Sequence, residues 1–199
     1  KNPGDDFLST LILAEDQGSK LSNMEMCALV GAVLGAGSDT AVDLHSYLIK
    51  TLLQHPDQLN ALKDDESLVQ GAISETLRYE SSGKTGLARY ASEDIDLNGF
   101  EVKKGQMVQL ITSTAGMDPK MYDNPGVFDI KRNHDKSISF GQGPHYCIGV
   151  TLVRSQTEVM LKELFKRFPN LSLGDEIVYD YNHHNARRMD VMTVNTNLS

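Results

Sequence analysis

The apolar positions of the chain follow two rhythms, and the change from one to the other divides the sequence into elements. Met26, Leu29, Val30, Val33 and Leu34 recur at helical spacing, and Ser22 with Glu25 three residues later forms a capping box ahead of them. The spacing predicts a long helix that begins near Asn23, runs through Leu48 and Leu52, and stops before His55-Pro56, because a residue preceding proline avoids the helical region. Pro56 opens a short second helix, and a third runs from about Ser67 to Tyr79 with Leu68, Ile73 and Leu77 on one side. From Thr85 to Thr112 the period falls to two, with Ile95 and Leu97 before Asn98-Gly99 and Phe100 and Val102 after it, the pattern of a hairpin in a small sheet.

The stretch from Asp118 to Ser139 has no sustained period and is read as a long ordered loop. A strong helix follows from near Ile148 to Arg167, carrying Leu152, Val159, Met160, Leu164 and Phe165, and Pro169 ends it. The tail reads as one or two hairpins, with Val178 and Tyr179 on one strand and Val191 to Val194 on another. His183 and His184 fall between them; adjacent histidines cannot share a helix face and no third ligand is evident, so a turn is expected there and not a metal site. The fold class predicted is mainly α with a small β-sheet region, an α-rich α+β arrangement, as a single unit over residues 1–199.

With 199 residues, 40% of them hydrophobic, the chain can bury a sizeable core. A formal net charge of -8 disfavours nucleic acid and anionic membrane surfaces as partners. No apolar run reads as long enough to cross a bilayer, and the start, Lys1-Asn2-Pro3-Gly4-Asp5-Asp6, lacks the order of a secretory signal. With no initiator methionine and an apolar stretch from Phe7 to Leu13 at once, the sequence reads as beginning partway through a longer protein. Two cysteines, Cys27 and Cys147, make a disulfide scaffold improbable, and the expected compartment is a reducing cytoplasm. Cys27 lies in the apolar stripe of the long helix and is expected in the core.

The segment from Phe140 to Gly149, Phe-Gly-Gln-Gly-Pro-His-Tyr-Cys-Ile-Gly, places Cys147 at the entrance of the strong helix. A sulfur there meets the positive end of the helix dipole and unpaired backbone N–H groups, which suits a metal ligand. Gly141, Gly143 and Gly149 permit close approach of a flat macrocycle, and Phe140 is placed to cover the sulfur from one side. A second segment, Ala36-Gly37-Ser38-Asp39-Thr40, sits in the middle of the long helix, where Gly31, Gly35 and Gly37 each cost about 1 kcal/mol relative to alanine. A glycine-lined face gives a ligand access to the backbone, and a threonine hydroxyl can bond the carbonyl one turn back.

The cysteine segment resembles the ligand loop of the cytochrome P-450 family, and the resemblance extends from roughly Pro3 to the end, as the C-terminal half of that fold with the N-terminal half absent, closest to soluble bacterial-type members. It implies haem b (iron protoporphyrin IX), with Cys147 as the iron ligand, His145 and Arg89 as partners of the haem propionates, and Phe140, Gly141, Gly149, Ala36 and Gly37 lining the cofactor. It implies that Asp39 and Thr40 are an acid–alcohol pair that delivers protons during O–O cleavage. Glu75 and Arg78 match the family's structural Glu-x-x-Arg pair. Two departures stand out: Gly116-Met117-Asp118-Pro119 replaces Asn-Arg-Asp-Pro, and Val127 occupies the arginine position of Pro-x-Arg-Phe, with Arg132 the nearby residue able to substitute.

The activity implied is insertion of one atom of O2 into a small apolar organic substrate. Electrons would come from a separate ferredoxin- or flavodoxin-like donor, since no flavin, iron–sulfur or dinucleotide motif is present. Arg154, Lys162, Lys166 and Arg167 could form a basic face for such a donor or be a solvated helix face. Leu87, Ala88 and the 183–185 turn are the positions expected near substrate. The alternatives are a non-catalytic haem-binding or scaffold fragment, and a peroxide-driven enzyme, against which the Asp39-Thr40 pair argues.

Overall fold

The computed structural model describes residues 3–16, 19–83, 86–182 and 186–197, and its contacts divide into two units, 1–42 and 43–199. In the first, α1 (Phe7–Leu13) is capped by Asp6, whose carboxylate accepts from the Ser9 backbone N–H at 2.8 Å. A short antiparallel pair, β1 (Glu15–Asp16) and β2 (Ser19–Lys20), leads into α2 (Asn23–Gln54). The predicted capping box is present: the Ser22 N–H donates to Glu25 Oε2 at 2.9 Å and the Glu25 N–H to Ser22 Oγ at 3.3 Å. The boundary between the units falls inside this helix.

Two expectations for α2 are overturned. Cys27 is exposed and not in a core, as are Leu29, Val33 and Leu34, because an apolar stripe states only that something should cover it. By length and composition α2 is also long and apolar enough to span a bilayer, contrary to the sequence reading, since small residues and a single Asp39 lower the apolar character of a Leu- and Val-rich stretch only slightly. Its last turns are committed to protein packing: Leu44, Leu48 and Leu52 are in the core and Lys50 is buried against Glu80 at 3.0 Å.

In the second unit α3 (Pro56–Asp64) starts on its proline, and a 3-10 turn (Glu66–Leu68) leads into α4 (Val69–Tyr79). Leu59 and Leu62 of α3 and Val69, Ala72 and Ile73 of α4 meet the end of α2 and Leu161 in one hydrophobic core with Phe128 and Ile130. The strands β3 (Leu87–Tyr90), β4 (Ile95–Leu97), β5 (Phe100–Val102) and β6 (Met107–Leu110) pair antiparallel as β3 with β6 and β4 with β5. Asn98 and Gly99 both have positive φ (54° and 90°), as the hairpin signal requires. After the one-turn helix α5 (Thr112–Ala115) comes the long loop, then α6 (Val150–Arg167) and one hairpin, β7 (Ser172–Asp180) with β8 (Arg188–Asn195). His183 and His184 lie outside the described residues.

The aperiodic loop is held by charge. Glu75 and Arg78, both buried, form a two-point pair at 2.7 Å and 2.7 Å. The other N–H groups of Arg78 donate to the carbonyls of Gly116 (2.8 Å), Pro125 (2.7 Å) and Val127 (3.1 Å), so all five guanidinium donors are used. A side chain at 116 would put its Cβ 2.8 Å from the Arg78 carbonyl oxygen, which explains a glycine there. Arg132 fills the role left by Val127: its Nε lies 3.3 Å from Glu75 Oε1, and it donates to the carbonyls of Asp123, Asn124 and Val127. The Asp129 N–H also reaches Glu75, at 2.9 Å.

The β7–β8 hairpin is tied down by a second cluster. Glu80 bonds both Lys50 and Arg187, and the two cations stack between the rings of Tyr47 and Tyr179. Burial pushes the Tyr47 phenol up to about 12, so it stays a neutral donor, bonded to the Arg187 carbonyl at 2.8 Å. Between α2 and α6, His45 Nε2 sits 3.0 Å from Thr157 Oγ1, whose own proton goes to the Val153 carbonyl, so the imidazole is the donor.

Arg132→Ala should cost about 2 kcal/mol in denaturant unfolding, the scale of hydrogen bonds to a charged group. Arg132→Lys should restore little of it, because a point charge cannot fork over several carbonyls. Acid sensitivity follows from His45 and His134, both held below the ordinary histidine value, mainly by burial. The unfolded chain takes up protons that the folded chain refuses, so stability is full above about pH 6.5 and is lost as pH falls through that value toward the folded-state pKa values. Urea midpoints measured across that range should fall with acidification, and replacing both histidines by Asn should flatten the curve; equal slopes would contradict the assignment.

Candidate haem-binding site

The cysteine loop is built from local backbone bonds. The Gly141 N–H donates to Ile138 and the Cys147 N–H donates back to the Phe140 carbonyl at 2.9 Å, closing the loop on itself. Two of its glycines, Gly141 (φ 76°) and Gly143 (φ 69°), lie in the left-handed region that a side chain would strain. Gly143 to His145 form a single 3-10 turn, and Gly149 is the N-cap of α6. Cys147 is free and exposed, two residues before that cap. His145 is exposed, whereas the Phe140 ring packs toward the core beneath the Arg154 guanidinium at 5.6 Å. Beside the thiol, Ile148 is 95% exposed and Tyr146 51% exposed, an uncovered apolar surface next to an uncovered sulfur.

The structure thus brings Phe140, Gly141, His145, Cys147 and Gly149 together in one loop. Ala36 and Thr40 meet in α2, where the Thr40 hydroxyl donates to the Ala36 carbonyl at 2.6 Å, the back-bond expected from the sequence. Ser38 does the same to Leu34 at 2.8 Å. Residues 31–40 are all exposed, and a Cβ added at Gly31, Gly35 or Gly37 would meet nothing within 4 Å. Asp39 is exposed on the same stretch. Arg89 stands exposed on β3, donating to the carbonyl of Ala88 at 2.8 Å, with no acidic partner among the described residues.

The cysteine loop by itself offers a free, exposed sulfur, glycines that leave room and exposed apolar groups in need of cover, the features a flat apolar cofactor with a metal at its centre requires. The basic face suggested for α6 is partly neutralised, since Lys162 pairs with Glu66 at 2.9 Å and Arg167 with Glu163 at 3.2 Å. Sequence reasoning missed His134, whose Nε2 lies 3.6 Å from Glu75 Oε2. It also missed the Lys50, Glu80 and Arg187 cluster, although a lysine inside the apolar row Tyr47, Leu48 and Leu52 was a readable sign of a buried partner.

A family model described as Cytochrome P450 matches residues 1–176. The chain is 36% identical over 195 residues to the Epothilone C/D epoxidase of Sorangium cellulosum, covering 98% of the chain and 46% of that relative. It is 38% identical over 181 residues to the 6-deoxyerythronolide B hydroxylase of Saccharopolyspora erythraea, covering 89% and 45%. Among solved structures, epothilone D-bound cytochrome P450epoK superposes with a TM-score of 0.92 at 36% identity, over 98% of this chain and 48% of that one. CYP109E1 of Bacillus megaterium in complex with testosterone gives 0.92 at 30%, over 98% and 54%. The chain therefore spans about half the length of the relatives it matches. With the family model over most of its residues, the chain belongs to the cytochrome P450 family, and that membership implies a haem cofactor.

Proposed function

We propose that residues 1–199 are the C-terminal part of a single cytochrome P450 domain, and that the whole protein is a cytoplasmic haem-thiolate monooxygenase. The observation that carries this reading is the Cys147 sulfur: free, exposed, two residues before the α6 cap, at the end of a glycine loop beside uncovered apolar groups. In this reading Cys147 holds the iron of haem b, His145 and Arg89 bond its carboxylates, and Phe140, Gly141, Gly149, Ala36 and Gly37 line it. When bound, haem supplies the activation of O2, one atom going to a small apolar organic substrate and the other to water, with two electrons and two protons consumed. The electrons come from a separate ferredoxin- or flavodoxin-like protein.

Asp39 and Thr40 have a task that is this chain's own. Because the Thr40 hydroxyl spends its proton on the Ala36 carbonyl, its oxygen is left as an acceptor for an incoming O–H. Turning that proton outward, with replacement through the Asp39 carboxylate, would move one proton to the reacting oxygen per turn. A second reading is favoured by the span of about half of each relative: residues 1–199 alone would bind haem as a non-catalytic or scaffold fragment.

Haem titration of the chain, alone and joined to the remainder of a full-length cytochrome P450, separates these readings through stoichiometry and turnover. In either case the reduced carbon monoxide complex should show a thiolate-type spectrum that Cys147→Ser abolishes, and persistence of the spectrum in the variant would remove Cys147 as ligand. In the full-length protein Thr40→Ala should leave that spectrum intact while lowering product formed per O2 consumed, with a loss of rate of roughly a hundredfold, the scale of general acid catalysis. Unchanged coupling would remove Thr40 from proton delivery.

A further inference from the structure

Behind the cysteine loop lies a polar cavity of about 390 Å3, lined by Ser74, His134, Ser139, Gln142 and Arg154 among others. Six cations of the described residues are buried or half-buried, and five of them have a carboxylate: Lys50 and Arg187 share Glu80, Arg78 and Arg132 share Glu75, and Arg188 faces Asp43. Arg154 has none. One face of its guanidinium rests on the Phe140 ring, and its Nε is buried with no hydrogen-bond partner. Both ring nitrogens of His134, on the same cavity, also lack a hydrogen bond. Water would satisfy these donors without giving the partly dehydrated guanidinium a carboxylate within ion-pair distance, and none of the described residues provides one.

The geometry points to a binding site for a small oxyanion of the carboxylate or phosphate class in this cavity, with Arg154 as its anchor. The Arg154 guanidinium carbon lies over the Phe140 ring, 5.6 Å from its centroid, and the forked N–H groups of a guanidinium suit the planar, two-point contact that such anions accept. The hydroxyls of Ser74 and Ser139, the Gln142 amide and the His134 imidazole supply further donors at the cavity wall. Asp135, which also lines the cavity, is turned to a local bond from the Asn133 amide at 3.0 Å. The cavity shares Phe140 and Gly141 with the proposed haem lining, but its donors Arg154, His134, Ser74 and Ser139 are not among the proposed haem residues, and the inference does not rest on that reading. It bears on the cysteine all the same, because Phe140 carries both the Arg154 stack and the carbonyl that accepts the Cys147 N–H.

Calorimetric titration of the chain with inorganic phosphate and with acetate, against chloride at equal ionic strength, tests the site. Phosphate or acetate should bind saturably with one site per chain, and chloride should not compete at that concentration. Arg154→Gln should weaken binding about tenfold or more, the scale of a lost charge-assisted hydrogen bond. Ser139→Asp, which sets a negative charge at the cavity lip and leaves Arg154 on Phe140, should weaken it similarly in a chain of unchanged circular dichroism. Absence of saturable binding in the parent, an equal response to chloride, or parent-like affinity in either variant would overturn the proposal.

Discussion

Much of the second unit depends on one dehydrated carboxylate. Glu75 has no exposed side-chain surface, and its partner Arg78 is 1% exposed. Removing these charges from water is costly, and a bare ion pair recovers only part of that cost. The remainder comes from backbone: three carbonyls around Arg78, three around Arg132, and the Asp129 N–H on Glu75. Those backbone groups all belong to residues 116–129, a stretch with no helix or sheet to satisfy its own hydrogen bonds beyond a few turns. The charges need the loop and the loop needs the charges, so neither is stable without the other.

That mutual dependence explains what the sequence could and could not reveal. The caps and breakers of α2 were legible to the residue, because Ser22, Glu25 and His55-Pro56 act through neighbours only a few positions away. So was the Asn98-Gly99 turn, whose positive φ angles follow from residue type alone. The course of the 118–139 loop was not legible, since it is set by guanidinium forks that reach across 38 to 49 residues of chain from Arg78. Arg132 could be named as a substitute for the arginine missing at Val127, but only the path of the loop brings it to Glu75.

The candidate site shows the same division. Glycines, a cysteine and a threonine at given spacings state what kind of chemistry the backbone can tolerate, and the Thr40 back-bond and the positive φ of Gly141 and Gly143 agree with that reading. Burial was harder to read. Cys27, Leu29 and Leu34 carry the signature of a covered helix face, yet they are exposed, because periodicity records the need for cover and not its source. The same holds for Ile148, which is apolar, next to the cysteine, and almost wholly exposed.

The anchor and the cysteine are joined by an unbroken run of short-range bonds. From Arg132 on Glu75 the chain passes through an Asn133 to Asp135 turn, a Ser137 turn closed on the His134 carbonyl, and Gly141 closed on Ile138, before Phe140 receives the Cys147 N–H. Beyond the Arg132–Glu75 pair, each of these bonds spans seven residues or fewer, so the segment has little freedom once its first residue is fixed. An exposed sulfur that must be held at a defined place is positioned chiefly through its backbone. A buried ionic anchor at one end of that backbone and a helix cap at the other are sufficient to hold it there.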